Sequence, residues 1–188
     1  MPGKEEQVLV ARSRAGNERA FRRLFDQHQA AVFRFAYRMT GAVDAAEDIT
    51  QECFLRLIEQ ARFDYTRGPL RQYLYGIARN LARQRWQTLG RESSYDDDPD
   101  GNAPSFAASL PDAITAAELS EIVQAALALL PPLQREAIVL FELEELSLEE
   151  TAAVVGADTG TVKSRLHRAR ERLRRILAEY RTPAQRGV

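Results

Sequence analysis

Cysteine is nearly absent from this 188-residue chain: Cys53 is the only one. A single cysteine excludes an internal disulfide and a cysteine-rich zinc site, so the chain suits a reducing compartment. No apolar run approaches the roughly 18 residues that suggest a membrane-spanning helix. The N-terminal segment, MPGKEEQVLVARSRAG, lacks the apolar core of a signal peptide. We therefore expect a cytoplasmic protein with no direct membrane insertion.

Groups that could carry out covalent chemistry are also scarce. The chain has two histidines and no recognisable nucleophile–base constellation, which argues against an enzyme. His28 follows Leu24 and Phe25 by one helical turn and is interpreted as a packed side chain rather than a ligand. The acidic run Asp96–Asp98 lies in a loop-like segment where adjacent residues do not converge on one ion. We predict no cofactor and no metal site.

Strand-like alternation is missing, whereas apolar residues recur at helical spacing along most of the chain. The sequence predicts an all-α fold of two small helical bundles joined by a flexible linker. We place a lead-in at residues 1–17, the first bundle at 18–89, an acidic linker at 90–111, the second bundle at 112–178 and a tail at 179–188. The predicted helices are Glu18–Thr40, Val43–Ala61, Leu70–Gln87, Asp112–Leu130, Pro131–Leu143 and the two helices described below.

The net charge is only −1, but the two signs are segregated along the chain. Tyr65–Arg91 contains six arginines and no acidic residue, whereas Glu136–Glu150 contains six glutamates and no basic residue. Local patches set the field that a phosphate backbone experiences. A near-neutral total therefore does not exclude a nucleic-acid-binding protein.

The segment from Ser147 to Arg175 has the pattern of a helix-turn-helix. Ser147 and Glu150 can form a capping box at the start of a short helix, and Gly156 can adopt the left-handed conformation that ends it. Asp158 or Thr159 can cap the second helix, which is strongly basic. A helix of this kind fits the DNA major groove. The alternative is a solvated, arginine-rich helix in an ordinary bundle.

Within the basic helix, side chains near the N-terminus are placed to meet base edges. The later arginines are better placed to meet phosphates. The candidate duplex-binding residues are Thr159, Thr161, Lys163, Ser164, Arg165, His167, Arg168 and Arg170.

The predicted helix Leu70–Gln87 carries aromatic rings among arginines and amides. Rings can stack on unpaired bases for roughly 1–3 kcal/mol per base, while cations follow the phosphates. The alternative is a packed aromatic face with solvated arginines, and the residues alone favour neither. We predict that the exposed side presents Arg71, Tyr75, Arg79, Asn80, Arg83, Gln84 and Trp86, with Tyr73 nearby.

One flank of the predicted helix Val43–Ala61 is acidic and bears an amide. Negative charge near a helix start suits the helix dipole, so this flank could be an ordinary solvated face. It could also be a docking surface for a basic or polar partner. The candidate docking residues are Asp44, Glu47, Asp48, Gln51 and Glu52.

Together, a duplex-binding motif in one half and a site suited to unpaired bases in the other suggest a protein that captures bases exposed near a recognised duplex. Five segments in order resemble the small two-domain extracytoplasmic-function (ECF) sigma factors of bacterial RNA polymerase. They are FRRLFDQHQAAVFRFAYRMTG, DAAEDITQECFLRLI, PLRQYLYGIARNLARQRW, LPPLQREAIVLFELEELSLEETAAVVG and GTVKSRLHRARERL. The chain departs from that family in the acidic residues Glu142, Glu144 and Glu145, and in Thr151, where an aliphatic residue is usual.

The resemblance implies a partner for each surface. It implies that the helix bearing Asp48, Gln51 and Glu52 docks on the clamp of the polymerase largest subunit, and that Arg62–Trp86 recognises the minus-ten promoter element as it melts. The final helix would read the minus-thirty-five element of promoter DNA as duplex. The domain around it would pack on the flap of the second-largest subunit, and an anti-sigma factor would hold the protein inactive. The rival hypothesis is a self-sufficient dimeric helix-turn-helix transcriptional regulator.

Overall fold

The computed structural model describes residues 2–60, 63–88 and 115–178, and within these ranges every regular element is helical. The first half contains α1 (Pro2–Arg14), α2 (Glu18–Thr40), α3 (Val43–Gln60) and α4 (Leu70–Thr88), with a 3₁₀ turn at Tyr65–Arg67 before α4. The second half contains α5 (Ala116–Ala128), α6 (Pro132–Ile138), α7 (Leu148–Val155) and α8 (Thr159–Leu177), with a π-type turn at Val139–Leu143 after α6. The predicted all-α fold is confirmed.

Helix α2 is the centre of the first half and packs against α1, α3 and α4. It begins where the Asn17 side chain accepts the backbone N–H of Ala20 at 3.0 Å. It ends at Gly41, whose φ of 75° is left-handed and whose N–H donates to the Tyr37 carbonyl. Leu24 and Phe35 lie on its fully buried stripe, as the apolar spacing predicts.

Residues 2–14 of the predicted lead-in form a helix, α1, which begins well before the short helix that Val8, Leu9 and Val10 indicate in the sequence. Leu9 and Val10 on α1 are buried. The Arg14 side chain donates to the Ile58 carbonyl at 3.1 Å, and the Glu6 carboxylate accepts the backbone N–H of Leu70 at 3.3 Å. Helix α1 therefore contributes to the core and also satisfies a backbone donor at the start of α4.

The helix-turn-helix of the second half is present as predicted. Ser147 and Glu150 form both hydrogen bonds of a capping box, and Gly156 ends α7 with a φ of 67°. Asp158 then caps α8 by accepting the Thr161 N–H at 2.9 Å. On α8, Val162, Leu166, Ala169 and Ile176 form the buried stripe.

Two predicted helices of the second half have different bounds in the structure. Helix α5 begins at Ala116 with a capping box formed by Thr115 and Glu118, whereas the predicted cap Asp112 lies outside the described residues. The single helix predicted over Pro131–Leu143 is divided into α6 and the π-type turn. The predicted linker, residues 90–111, also lies outside the described ranges.

The two halves pack directly against each other, which the sequence does not predict. Helix α2 contacts α5 and α6, and α4 contacts α7. The Gln124 amide donates to the Tyr37 carbonyl at 3.1 Å, and the Arg135 guanidinium donates to the Met39 carbonyl at 2.7 Å. One cluster of buried side chains runs through both halves.

Candidate nucleic-acid and polymerase interface

The N-terminal half of α8 presents most of the predicted duplex-binding residues. Lys163, Ser164, His167, Arg168 and Arg170 are exposed, and Thr159 and Thr161 are half-buried. The Thr161 hydroxyl donates to the Asp158 carboxylate at 2.6 Å. This bond and the backbone N–H of Thr161 hold the pKa of Asp158 below its usual value. An ionised Asp158 at this helix N-terminus is favoured by the helix dipole.

Two of the predicted duplex-binding arginines are engaged within the protein. Arg165 is largely covered, with 16% of its side chain exposed, and lies 3.6 Å from the Glu136 carboxylate. Arg170 is paired with Glu142 at 2.6 Å, with both side chains partly exposed. Arg165 is therefore less available to DNA in this arrangement than Lys163 or Arg168, which are exposed.

Helix α4 is the main difference between prediction and structure. Tyr75, Arg79 and Trp86 are only 0%, 8% and 6% exposed. Their predicted place on an exposed side of α4 is wrong in this arrangement, because the second half covers them. Asn80 and Gln84 are exposed, while Arg71, Tyr73 and Arg83 are half-buried.

Arginines of α4 are paired with glutamates of the second half. Arg79 donates two hydrogen bonds to Glu136, at 2.7 and 3.0 Å, and Glu136 is completely buried. Arg71 donates to the Glu144 carboxylate at 2.9 Å and to the Tyr75 hydroxyl at 2.8 Å. The Tyr75 hydroxyl in turn donates to Glu144. Burial first, and then this bond, raise the pKa of Tyr75 well above its usual value, so its hydroxyl remains a donor.

Trp86 is covered by a cation from the second half. The Arg135 guanidinium lies 5.4 Å from the centroid of the Trp86 ring, within cation–π range. Tyr73 packs against Phe63, with ring centroids 5.7 Å apart. Of the three aromatic rings predicted to meet bases, Tyr73 is the most accessible.

The acidic flank of α3 is exposed as predicted. Asp44, Glu47, Asp48 and Gln51 are exposed, and Glu52 is half-buried. Glu52 accepts from Arg56 at 2.7 Å, and Asp48 lies 3.3 Å from Arg85 of α4. Sequence reasoning missed one member of this surface: Leu55 is 54% exposed. The signal was its position four residues after Gln51, which places it on the same helix face.

An apolar groove in the second half was also missed. It lies between α5, the end of α6 and the C-terminal part of α8, with a volume of about 430 Å³. Its apolar walls include Leu127, Ile138, Leu143, Leu173 and Leu177. The spacing of apolar residues indicates which face of a helix is buried, but it does not show which part of that face a neighbouring helix leaves uncovered. The groove could therefore not be predicted from the sequence.

The remaining chemistry-bearing groups are structural. Burial raises the pKa of the Cys53 thiol to about 12, and its sulfur lies 3.4 Å from the Leu74 carbonyl. Cys53 therefore acts as a small buried apolar side chain, as free cysteines commonly do. Within residues 2–60, 63–88 and 115–178, no three His, Cys, Asp or Glu side chains are grouped so that they could hold a metal ion. The same ranges contain no helix with the length and apolarity needed to span a membrane.

An exposed basic recognition helix, joined to a second helical half with an arginine-rich aromatic helix, defines a helix-turn-helix nucleic-acid-binding protein. Two family models match the chain: sigma-70 region 2 over residues 24–92 and sigma-70 region 4 over residues 120–173. The chain therefore belongs to the sigma-70 family, and its curated relatives place it among the ECF RNA polymerase sigma factors. The match over the first half disfavours the rival hypothesis of a self-sufficient regulator, which gives α3 and α4 no role.

Two of these relatives show how far the similarity extends. The ECF RNA polymerase sigma factor SigW of Bacillus subtilis is 34% identical over 179 residues, which cover 90% of this chain and 95% of SigW. SigE of Mycolicibacterium smegmatis is 38% identical over 163 residues, covering 84% of this chain and 61% of SigE. The chain thus spans less than two thirds of the mycobacterial relative.

Solved structures share the fold. The sigma factor RpoE of Bartonella quintana, crystallised with the anti-sigma factor NepR, is 31% identical, with a TM-score of 0.65 over 86% of this chain and 98% of that one. CnrH, solved with the cytosolic domain of CnrY, is 26% identical, with a TM-score of 0.66 over 93% of this chain and 97% of that one.

Proposed function

We propose that this chain directs bacterial core RNA polymerase to promoters and favours melting of the DNA at the start site. The observation that carries this proposal is the exposed basic face of α8, in a chain whose two halves match two different sigma-70 regions. No covalent step is required of the protein. It acts by binding the open promoter better than the closed one, which shifts the equilibrium between them.

We assign the minus-thirty-five duplex to α8. Contacts to phosphates fix the register of the helix and make binding sensitive to salt, whereas contacts to base edges select the sequence. Lys163, Ser164 and His167 are exposed on the early turns of α8. Arg168 and Arg170 follow and are suited to phosphates.

We assign the melted minus-ten strand to α4 and the loop before it. Extruding a base from the duplex costs a few kcal/mol, and stacking on Tyr73, Tyr75 or Trp86 can offset that cost. Arg71, Arg79, Asn80 and Arg83 would contact the backbone or base edges. For Tyr75 and Trp86 to act in this way, the second half must move away from α4.

Two further surfaces suit the polymerase. The acidic flank of α3, extended by Leu55, offers charge and one apolar contact to the clamp of the largest subunit. The apolar groove of the second half offers a site for apolar side chains of the flap. An anti-sigma factor that covers either surface would keep the chain from the polymerase.

In vitro transcription on a library of genomic fragments tests the proposed function. Core polymerase with this chain should start RNA at discrete positions that share upstream sequence, and core polymerase alone should not. A gel shift on a selected fragment, with and without core polymerase, separates a sigma factor from a self-sufficient regulator. Failure to associate with core polymerase, or initiation at random positions, would contradict the proposal.

A further inference from the structure

The loop before α4 is exposed in the middle and held at both ends. Asp64, Thr66 and Arg67 are exposed, and the Asp64 side chain accepts the Thr66 N–H at 2.9 Å at the start of the 3₁₀ turn. At one end Phe63 is 8% exposed, and at the other Leu70 is completely buried. The proposed function assigns the melted strand to this loop and to α4. The contacts that fix the ends of the loop therefore also set the position of the residues that the strand would meet.

The first backbone N–H of α4 has its partner in another helix. A helix leaves the N–H groups of its first turn without partners inside the helix, and a side chain just before the helix commonly accepts one of them. Pro69 occupies that position, and its apolar ring has no acceptor atom. The Glu6 carboxylate of α1 instead accepts the Leu70 N–H at 3.3 Å, from 64 positions earlier in the chain. Its negative charge also suits the positive end of the α4 dipole.

The Glu6 side chain is held from a second direction. One of its oxygens faces Leu70, and the other lies 3.2 Å from the imidazole nitrogen of His28 on α2. Only 19% of the Glu6 side chain and 12% of the His28 side chain are exposed. The carboxylate therefore joins α1, α2 and the start of α4, and its contacts hold the acceptor atom in a fixed position.

Helix α1 also touches the loop itself, at Gly3. A Cβ atom at residue 3 would lie 3.2 Å from the Cβ atom of Tyr65, which is closer than the optimal distance between two carbon atoms. Glycine therefore allows α1 to approach the 3₁₀ turn. Glu6 lies three residues further along and on the same face of the helix. One face of α1 thus supports both the middle and the end of the loop.

We propose that Glu6 is a positioning residue for promoter melting: by capping α4 from α1, it holds residues 63–69 in the conformation that receives the melted strand. The proposal rests on the proposed function, because the position of this loop matters for melting only if the loop binds the strand. Glu6 acts through Leu70 and needs no contact with DNA. It orders the loop before the strand arrives, so the entropy cost of ordering does not reduce the affinity for the strand.

Three substitutions on α1 test this role. Glu6→Ala removes both contacts of the carboxylate. Glu6→Gln is the conservative variant, since its amide oxygen can still accept the Leu70 N–H. Glu5→Ala is the matched control, because it removes the same charge from the neighbouring residue, whose partner is the exposed Arg23. Neither glutamate belongs to the predicted DNA-binding or docking sets.

The first measurement is hydrogen exchange of backbone amides in the full chain without DNA. Glu6→Ala should speed exchange at Leu70 by about fivefold, the effect of one lost helix cap. The Thr161 amide is the internal reference, because it lies in the first turn of α8 and is capped by Asp158 of the same segment. Glu6→Gln and Glu5→Ala should resemble wild type at both amides. An unchanged rate at Leu70 in Glu6→Ala, or an equal increase at Thr161, would overturn the cap.

The second measurement is promoter melting by the holoenzyme, followed by the fluorescence of 2-aminopurine in the minus-ten element of a promoter selected by in vitro transcription. Glu6→Ala should form the open complex about fivefold more slowly, since a loop that is positioned only part of the time lowers productive binding in proportion. Its binding to the closed promoter, measured by gel shift in the cold, should match wild type. Glu6→Gln should recover most of the melting rate, and Glu5→Ala should match wild type in both assays.

The outcomes distinguish this proposal from the proposed function. If wild-type holoenzyme does not melt the promoter, the proposed function fails and Glu6 has no role in melting. If wild type melts the promoter and Glu6→Ala does so at the same rate, only the positioning role is overturned. Equal losses of closed-complex binding and of melting, or no recovery with Glu6→Gln, would also overturn it, because they would show that Glu6 supports only the fold.

Discussion

Single side chains decide which cations of α8 are available to DNA. Lys163 and Arg168 are exposed, whereas Arg165 lies against Glu136 and Arg170 against Glu142. These pairings join positions far apart in the sequence, so a list of basic residues on one helix overstates the free positive charge. Lys163 is therefore the cleaner test of duplex recognition than Arg165.

We predict that Lys163→Ala weakens binding of the holoenzyme to minus-thirty-five duplex. The loss should be about 1–3 kcal/mol if the ammonium contacts a base, or a decrease of about one in the salt slope if it contacts a phosphate. Gel shifts at several salt concentrations distinguish these cases. Lys4→Ala is the control, since Lys4 is the other lysine of the chain and lies on α1. Unchanged affinity and salt slope would remove Lys163 from the interface.

His28 gives a pH-dependent contribution to stability. Burial lowers the pKa of His28 below the usual value, and the positive charge of Arg71 lowers it further. The Glu6 carboxylate, 3.2 Å from the imidazole, raises the pKa and partly offsets this decrease. The unfolded chain therefore takes up this proton at a higher pH than the folded one. The corresponding stability is present above the ordinary histidine pKa of about 6.5 and is lost as the pH falls through the lower folded value.

We predict that His28→Gln reduces the loss of stability on acidification. Urea unfolding of wild type and variant at about pH 7.5 and about pH 5.5 measures the free energy of unfolding in each case. Carboxylates that titrate in both proteins change the free energy of unfolding of both by the same amount, so their contribution cancels when the two losses are compared. An equal loss in the two proteins would show that His28 does not contribute.

At the scale of single elements, capping residues at the helix ends and the spacing of apolar residues account for most of the helices. The capping box of α7, its left-handed Gly156 and the Asp158 cap of α8 are all local, because each joins residues no more than four positions apart. The full extent of α1 was missed for the opposite reason. Its burial depends on contacts with α2, α3 and the turn before α4, and its own apolar pattern is short.

We predict opposite effects from two glycine substitutions. Gly156→Ala places a side chain at a φ of 67° and should destabilise the protein by about 1 kcal/mol or more. Gly76→Ala lies within α4, where an added Cβ meets no atom within 4 Å. It should stabilise the protein by about 0.4–1 kcal/mol through helix propensity.

Thermal or urea unfolding of the two variants measures both effects, and each variant is the control for the other. A stabilising Gly156→Ala would contradict the left-handed end of α7. A destabilising Gly76→Ala would show that this turn of α4 is more crowded than the structure indicates.

At the scale of the whole molecule, docking on the polymerase is predicted to depend on the exposed flank of α3. Asp48 has 68% of its side chain exposed, so reversal of its charge should leave the fold intact. Asp48→Arg is expected to abolish co-purification with core polymerase, because it places a cation on an otherwise acidic surface. Asp26→Arg makes the same charge change at an exposed position on α2 and should co-purify normally. Intact holoenzyme with Asp48→Arg would refute the docking surface.

The sequence by itself determined the helical elements, their caps, the helix-turn-helix and the segregation of charge. These features depend on residues within a few positions of one another, so local physical rules suffice to predict them. Only the tertiary structure decided which residues are accessible. Tyr75 and Arg79 are buried against Glu144 and Glu136, and Trp86 lies under Arg135, all of which belong to the other half of the chain. The sequence shows that a basic run and an acidic run exist, but attraction between charges does not specify which residues meet until the chain has folded.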